Sequence, residues 1–448
     1  MYRNQLKRAF LFVFVFSGLV AFSQEKTLRF SLVEAQQFAI ENSYQSQVAE
    51  KEVLKSKRKV KETISTGLPQ VNASGNYQQY LEVPVQLVPA PIFGGPEGEF
   101  EEVFFGTEQQ MGVDVRATQL LFDGTYFVGL QASKVYLELS KNDRMKTETE
   151  VRKMVTQAYG NVLVTEKNVE ILKQNRDNLA ENLKETKALY ENGFVEEQDK
   201  DQLELLLANA KNAYEQAVRQ IEISKNQLKF AMGIDVSEEV ELSQSLKEIT
   251  TENQSETYLS EEFNVQSHID YKVINTQEKA TELLWKQQKS TYLPNLSGFY
   301  SYQQNSFSNE FNFFSDSRWF PTQVIGLNVS VPIFSSLGRN QRVQQAKLDY
   351  QMTNIAKKQV EQQLLIQAEN AKSEYTFALN QYQTRKDNLE LAERIYQKTK
   401  TKYDEGVSSS LELTQANNQL LETQGNFINA ALQLINAKAN LDQALNTY

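Results

Sequence analysis

The chain has 448 residues, 40% of them hydrophobic and 23% charged, with a formal net charge of −10. So acidic a chain is a poor non-specific partner for nucleic acid. It contains no cysteine, which excludes a disulfide, a thiolate metal site and a lipid-anchor cysteine.

The first residues read as an export signal. Arg3, Lys7 and Arg8 give a basic start, Leu11 to Val20 is apolar, and Ala21-Phe22-Ser23 offers small residues at the two positions a signal peptidase reads. Residues 1–23 are therefore expected to be cleaved, leaving Gln24 first. The apolar run is too short for a permanent helical span, and no later stretch supplies the roughly 20 apolar residues such a span needs. If the mature chain crosses a membrane, it does so as a closed β-barrel.

Beyond the signal, proline divides the chain. All eight prolines fall in two windows, Pro69 to Pro96 and Pro294 to Pro332. Proline is costly inside a helix, so the windows read as strands and loops and the rest as helix. In chain order, Leu32 to Thr66 is a helix and Pro69 opens a strand. A loop at about 82–109 follows, then a second strand through Met111 to Leu121. Asp123 to Gly193 is one helix on the order of 100 Å long at about 1.5 Å per residue. After a turn at 190–195, Glu196 to Met232 returns over half that length. Residues 234–260 form a linker, expected as a small mid-length collar. The order then repeats: a helix from Glu261 to Thr291, a strand pair at about 294–334, and a long helix from Ser335 to Gly406. A turn at 403–409 and a return helix from Ser408 to Leu445 complete the second half.

The two halves carry the same landmarks in the same order. Leu68-Pro69 lies opposite Leu293-Pro294, Leu121-Phe122 opposite Ile333-Phe334, and Tyr190…Gly193 opposite Tyr403…Gly406. Tyr214-Glu215-Gln216-Ala217 then lies opposite Phe427-Ile428-Asn429-Ala430. The period is far longer than a solenoid repeat, so the chain is an internal duplication, 24–233 and 261–448.

The second strand of each half alternates. Ile325, Leu327, Val329, Val331 and Ile333 are apolar, with Gly326, Asn328, Ser330 and Pro332 between them. In the first half Met111, Val113, Val115, Ala117 and Leu121 share one face, and Gly112, Asp114, Arg116 and Thr118 the other. Period two gives one apolar and one polar face. Strands of about 10–13 residues span a hydrocarbon core when tilted. Asp114 and Arg116, and Asn328 on the matching face, are costly toward lipid and cheap toward a wet lumen, which makes them candidate lumen residues. Phe311, Phe313, Phe314, Trp319 and Phe320 stand where an interfacial aromatic girdle belongs. Four strands cannot close a barrel, so several copies must contribute, and three would give twelve strands, within the known range.

A cleavable signal, duplicated halves, a Leu-Pro lead-in to each first strand, a Phe ending each second strand and a Tyr-x-x-Gly turn between long helices together resemble the TolC family of outer membrane efflux proteins. The resemblance covers essentially all of the mature chain. It implies a mainly α fold with a transmembrane β part: a coiled-coil α-barrel crossing the periplasm, and four strands per chain in a twelve-stranded β-barrel of a homotrimer. It implies a passive exit duct in the outer membrane of a Gram-negative bacterium, working with a periplasmic adaptor and an inner-membrane pump. Tyr190, Gly193, Phe194, Val195, Tyr403, Gly406 and Val407 match the family's helix-turn tips, which the resemblance makes adaptor contacts. Asp199 and Glu412 match a position where relatives often carry acids lining the periplasmic entrance. The physical alternative for both is a helix N-terminal acid, favourable with the macrodipole.

The catalytic inventory is nearly empty. There is one histidine, His268, expected on the surface at a helix start. No Walker-type glycine loop, G-x-S-x-G elbow or cluster of metal ligands is present in the sequence, so neither an enzyme nor a cofactor is expected. The competing reading is a soluble periplasmic coiled-coil scaffold or adaptor, which detergent dependence would separate from a channel.

Overall fold

The computed structural model describes residues 28–254, 263–315 and 317–448. The expected signal, 1–23, lies outside them.

The first helical stretch is two helices, α1 (Leu32–Asn42) and α2 (Tyr44–Thr66), where the sequence predicts one. Ser43 between them is extended (φ −62°, ψ 148°), and its hydroxyl accepts the Ser46 N–H at 3.3 Å. The bend meets a segment far along the chain. Gly233 (φ +75°) packs so close that a Cβ there would meet the Asn42 carbonyl oxygen at 2.3 Å. The bend and the left-handed glycine fit one another.

The long helix α3 (Gly124–Glu191) has 68 residues, about 100 Å at 1.5 Å per residue. Asp123 starts it: its Oδ1 accepts the N–H groups of Thr125 (2.7 Å) and Tyr126 (3.2 Å), satisfying donors a helix start leaves open. The return helix α4 (Glu197–Met232) has 36 residues. A short helix, α5 (Leu246–Glu252), follows in the linker. In the second half α6 (Ile269–Ser290) starts later than Glu261. Then come α7 (Gly338–Asp404), with 67 residues, and α8 (Ser410–Leu445), with 36. The long helix α3 packs against α2 and α4, and α7 against α6 and α8. The duplication extends to the helix ends. Phe194 N–H reaches Leu189 O and Gly193 N–H reaches Tyr190 O; Val407 N–H reaches Lys402 O and Gly406 N–H reaches Tyr403 O. Both are Schellman motifs closed by a left-handed glycine, φ +79° and +73°.

The main sheet comprises β2 (Gln70–Gln79), β5 (Gln109–Asp123), β7 (Asn295–Ser308) and β8 (Trp319–Ser330), in the order β2-β5-β7-β8 and antiparallel throughout. Its last strand begins and ends earlier than the predicted Val324–Ile333 segment. Pro332 cannot donate to a ladder, and Pro321 is accepted because β8 is an edge strand. Two small sheets were not legible in the sequence. One pairs β1 (Leu28–Phe30) in parallel with β6 (Val240–Leu242). The other is a hairpin of β3 (Val85–Pro89) and β4 (Phe100–Phe104) inside the long loop.

The main core lies where the short helices meet. Tyr159, Tyr375, Leu434 and Ile435 are fully buried there, with Leu228 and Met232 of α4 and Ile249 of α5 in the same cluster. Tyrosine hydroxyls tie the collar to the long helices: Tyr159 donates to Phe30 O of β1 (3.0 Å) and Tyr375 to Asn253 O of the linker (2.5 Å). His268 is buried rather than on the surface. Its Nδ1 accepts the Asp270 N–H (3.1 Å), capping α6, and its Nε2 lies 3.1 Å from the Gln443 carbonyl oxygen. A carbonyl only accepts, so Nε2 carries the proton, and the residue is a structural cap. Among the described residues no helix is long and apolar enough to cross a membrane, and no group of side chains is arranged to hold a metal ion.

Candidate functional site

The candidate side chains fall in two regions: one face of the main sheet and the tips of the helical hairpins.

Residues paired across antiparallel strands share a face. Arg116 pairs with Asn72 and Ser301, Ser301 with Val324, and Asp114 with Ser74 and Gln303. Asn328 pairs with Ser297 on the same side. The register therefore brings Asp114, Arg116 and Asn328 onto one face, lined with Asn, Gln, Ser and Thr. Asp114 Oδ1 accepts the Ser301 hydroxyl at 2.5 Å, and the Arg116 guanidinium lies 4.1 Å from the Phe299 ring centre. Gly112 leaves space for two amides: a Cβ there would meet Asn76 Oδ1 at 2.6 Å and Asn305 Oδ1 at 2.8 Å. The opposite face is apolar and uncovered. Val71, Val113, Val115, Leu327 and Val329 are exposed on it, and Ile325 is 85% exposed. A soluble sheet does not leave such a face to water.

The aromatic group divides between the faces. Phe311 and Phe313 pack on the Tyr77 ring at 5.6 and 6.0 Å, and Trp319 Nε1–H donates to the Phe313 carbonyl at 3.3 Å. These lie on the apolar side, where a girdle belongs. Phe320 does not join them: it pairs with Asn305 and sits beside Phe307 at 6.2 Å on the polar face. Strand alternation, rather than proximity in sequence, assigns it.

At the hairpin tips Phe194 and Val407 are exposed, and Tyr403 receives or gives a hydrogen bond of 3.0 Å with Thr186 Oγ1. Asp199 and Glu412 stand in the first turns of α4 and α8. Their surroundings differ. Glu412 closes a capping box: Oε2 accepts the Ser409 N–H (3.2 Å) and the Ser408 hydroxyl, while Ser409 Oγ accepts the Glu412 N–H (3.3 Å). The corresponding Glu196 makes no side-chain cap to α4. Asp199 turns instead to the other hairpin, where it accepts the Ser410 hydroxyl. One acid holds its own helix, and the other joins the two tips. The Ser-Ser-Leu-Glu run at 409–412 is a legible capping-box signal. Ser410 as the partner of Asp199 carried no sequence signal, because the two are brought together only by hairpin packing.

Residues 36–234 and 274–447 match the outer membrane efflux protein family model. The chain belongs to the outer membrane efflux protein family. The paired match coincides with the duplicated halves. As a member of this family the chain is an efflux channel of the Gram-negative outer membrane extending into the periplasm, and a passive conduit rather than an enzyme. The fold agrees with solved channels at low identity. VceC of Vibrio cholerae superposes with a TM-score of 0.68 at 12% identity, covering 92% of this chain and 95% of that one. CmeC of Campylobacter jejuni gives 0.68 at 19%, covering 92% and 85%. The open-state MtrE channel of Neisseria gonorrhoeae gives 0.71 at 17%, covering 92% and 88%. No curated protein matches the chain by sequence.

The Glu412 cap has a pH signature. Hydrogen bonds from the Ser408 hydroxyl and the Ser409 N–H lower its carboxyl below the ordinary glutamate range. A depressed folded pKa means the cap's contribution is present above the ordinary glutamate pKa and fades as pH falls through the lowered value. The protection factors of the amides at 409–412, referred to the intrinsic exchange rate at each pH, are therefore expected to fall on acidification, and Glu412→Gln to remove most of that pH dependence.

Proposed function

We propose that this efflux protein is the exit duct of a tripartite efflux or type I secretion assembly. Three copies form one twelve-stranded barrel and one helical tunnel, whose tips meet a periplasmic adaptor and an inner-membrane pump. The observation that carries this reading is the agreement of open edges in the two layers. The sheet ends at β2 and β8. The helices pack in the order α2–α3–α6–α7 toward the sheet and α4–α3–α8–α7 toward the tips. So α7 is an edge helix along its whole length, opposite α2 and α4. It leaves Met352, Ile355, Ile366 and Phe377 exposed, while α2 and α4 expose Val48, Leu54, Ile223 and Phe230. A ring of copies covers all these edges at once, puts the apolar sheet face toward lipid, and puts Asp114, Arg116 and Asn328 toward the lumen.

At the tips, threefold repetition of Asp199 and Glu412 makes rings of carboxylate, which favour cations at a constriction. In this reading the Ser410–Asp199 hydrogen bond, which ties together the two hairpin tips of one copy, opposes their separation on opening. Tyr190, Gly193, Phe194 and Val195, with Tyr403, Gly406 and Val407, form the adaptor-facing turns.

Single-channel recording in planar bilayers tests this. The protein should insert in discrete steps, and Asp199→Ala/Glu412→Ala should reduce cation selectivity. Ser410→Ala should raise the open fraction about fivefold, the equivalent of a hydrogen bond worth about 1 kcal/mol. Steps unchanged in all variants would remove the gate and keep the duct. Protein that stays in solution without detergent and never inserts would sink the reading.

A further inference from the structure

The β3–β4 hairpin has no use in the duct as described. It stands apart from the main sheet, and its strands pair with each other. One face presents Leu87, Phe100 and Phe104, all more than 60% exposed. A lone two-stranded hairpin is at best marginally stable in water, and an apolar patch of this kind marks a contact surface. The hairpin is also acidic, with Glu97, Glu99, Glu101 and Glu102 and neither Lys nor Arg from 82 to 109.

What covers it follows from the sheet edges. The hairpin is reached from the end of β2, and Gln79 lies at the same end of the sheet as Trp319, which starts β8, through the pairs Gln79–Gln109, Gln109–Ser308 and Ser306–Trp319. Within one copy β5 and β7 separate those ends by roughly 14 Å, three strand spacings of about 4.8 Å. In a closed ring, β8 of the next copy is the immediate neighbour of β2. Just before that strand stands Arg318, its guanidinium 5.2 Å from the Phe320 ring centre. Here a cation and a half-exposed aromatic ring match an acidic, aromatic hairpin.

We propose that the β3–β4 hairpin of each copy clasps the next copy at Arg318 and Phe320, with Phe100 and Phe104 on the ring and Glu102, which shares their face through its pairing with Leu87, against the guanidinium. The clasp rests on the closed-ring reading. It locks the copies together at the outer rim, where the second half has only the short connection of residues 309–318.

The cysteine-free chain makes the test clean. Glu102→Cys/Arg318→Cys protein, extracted in detergent and oxidised, is run on a non-reducing gel beside each single variant. Its assembly mass is measured on the same preparation. Covalent dimers and trimers that need both substitutions and disappear on reduction are expected. A trimeric assembly that gives only monomer bands, with the thiol introduced at position 102 freely labelled by maleimide, would overturn the clasp and leave the duct. A monomeric preparation would overturn the ring reading and the clasp together. As a second measure, Glu102→Lys should lower the temperature at which the trimer dissociates in SDS, and adding Arg318→Glu should restore it. Dissociation unmoved by either change would remove the charge pairing from the proposal.

Discussion

Ile325→Arg is expected to abolish assembly into the outer membrane, while Asn328→Arg leaves it intact. Both residues lie on β8, three positions apart, so strand alternation puts them on opposite faces. Ile325 is near the middle of the strand, on the apolar side with Leu327 and Val329. A charge facing lipid at the bilayer midplane costs about 2–4 kcal/mol, whereas lumen substitutions mainly tune selectivity. Repeated once per copy around the ring, that cost is a large part of the roughly 5–15 kcal/mol typical of a folded domain. The readouts are the heat-modifiable oligomer on a gel and the amount of protein in outer-membrane fractions. Equal yields for the two variants would mean that the exposed apolar face meets no lipid. A soluble scaffold would give that result, since a surface isoleucine in water is readily replaced.

Gly233→Ala is expected to destabilise the protein by about 3 kcal/mol or more. A left-handed conformation costs a non-glycine residue roughly 1–2 kcal/mol. At Gly233 (φ +75°) the added Cβ would also meet the Asn42 carbonyl oxygen at 2.3 Å and its carbon at 2.8 Å. These are backbone atoms, so relief requires moving the junction of α1 and α2, and overpacking of this kind adds about 1–3 kcal/mol. Gly193 and Gly406 are the internal controls. They share the positive φ, but nothing lies within 4 Å of an added Cβ, so alanine there should cost only the conformational part, about 1–2 kcal/mol. Thermal melting of the detergent-solubilised variants compares the three. Equal losses would show that the α1–α2 bend does not depend on Gly233.

Much of this architecture was legible because its periods are local. Proline placement separated strand from helix, since a ring that removes an N–H and fixes φ acts on its own segment. The long helices, the tip turns at Gly193 and Gly406, and the duplicated order all follow from spacing along the chain. So does the polar face with Asp114, Arg116 and Asn328, because alternation needs no partner strand to be seen. Where the reading differed, a distant segment intervened. The break at Ser43 answers Gly233. Burial of His268 comes from the carbonyl of Gln443 near the other end of the chain. Pairing β1 with β6 joins Leu28 to Val240. Phe320 left the girdle because its pairing with Asn305, and not its aromatic neighbours, sets the direction of its side chain.

The tip acids show the same boundary at finer scale. Chain order alone makes Asp199 and Glu412 the openings of equivalent helices, separates the polar and apolar faces of the sheet, and supplies too few long strands to close a barrel within one copy. Packing of the halves turns Glu412 onto its own helix, carries Asp199 to Ser410 on the other hairpin, and leaves β2, β8 and α7 as open edges. Dihedral preference and side-chain period act between neighbours in the chain, so they can be read from order alone. Hydrogen-bond partners and open edges depend on which segments meet in space, and that is fixed only when the halves pack.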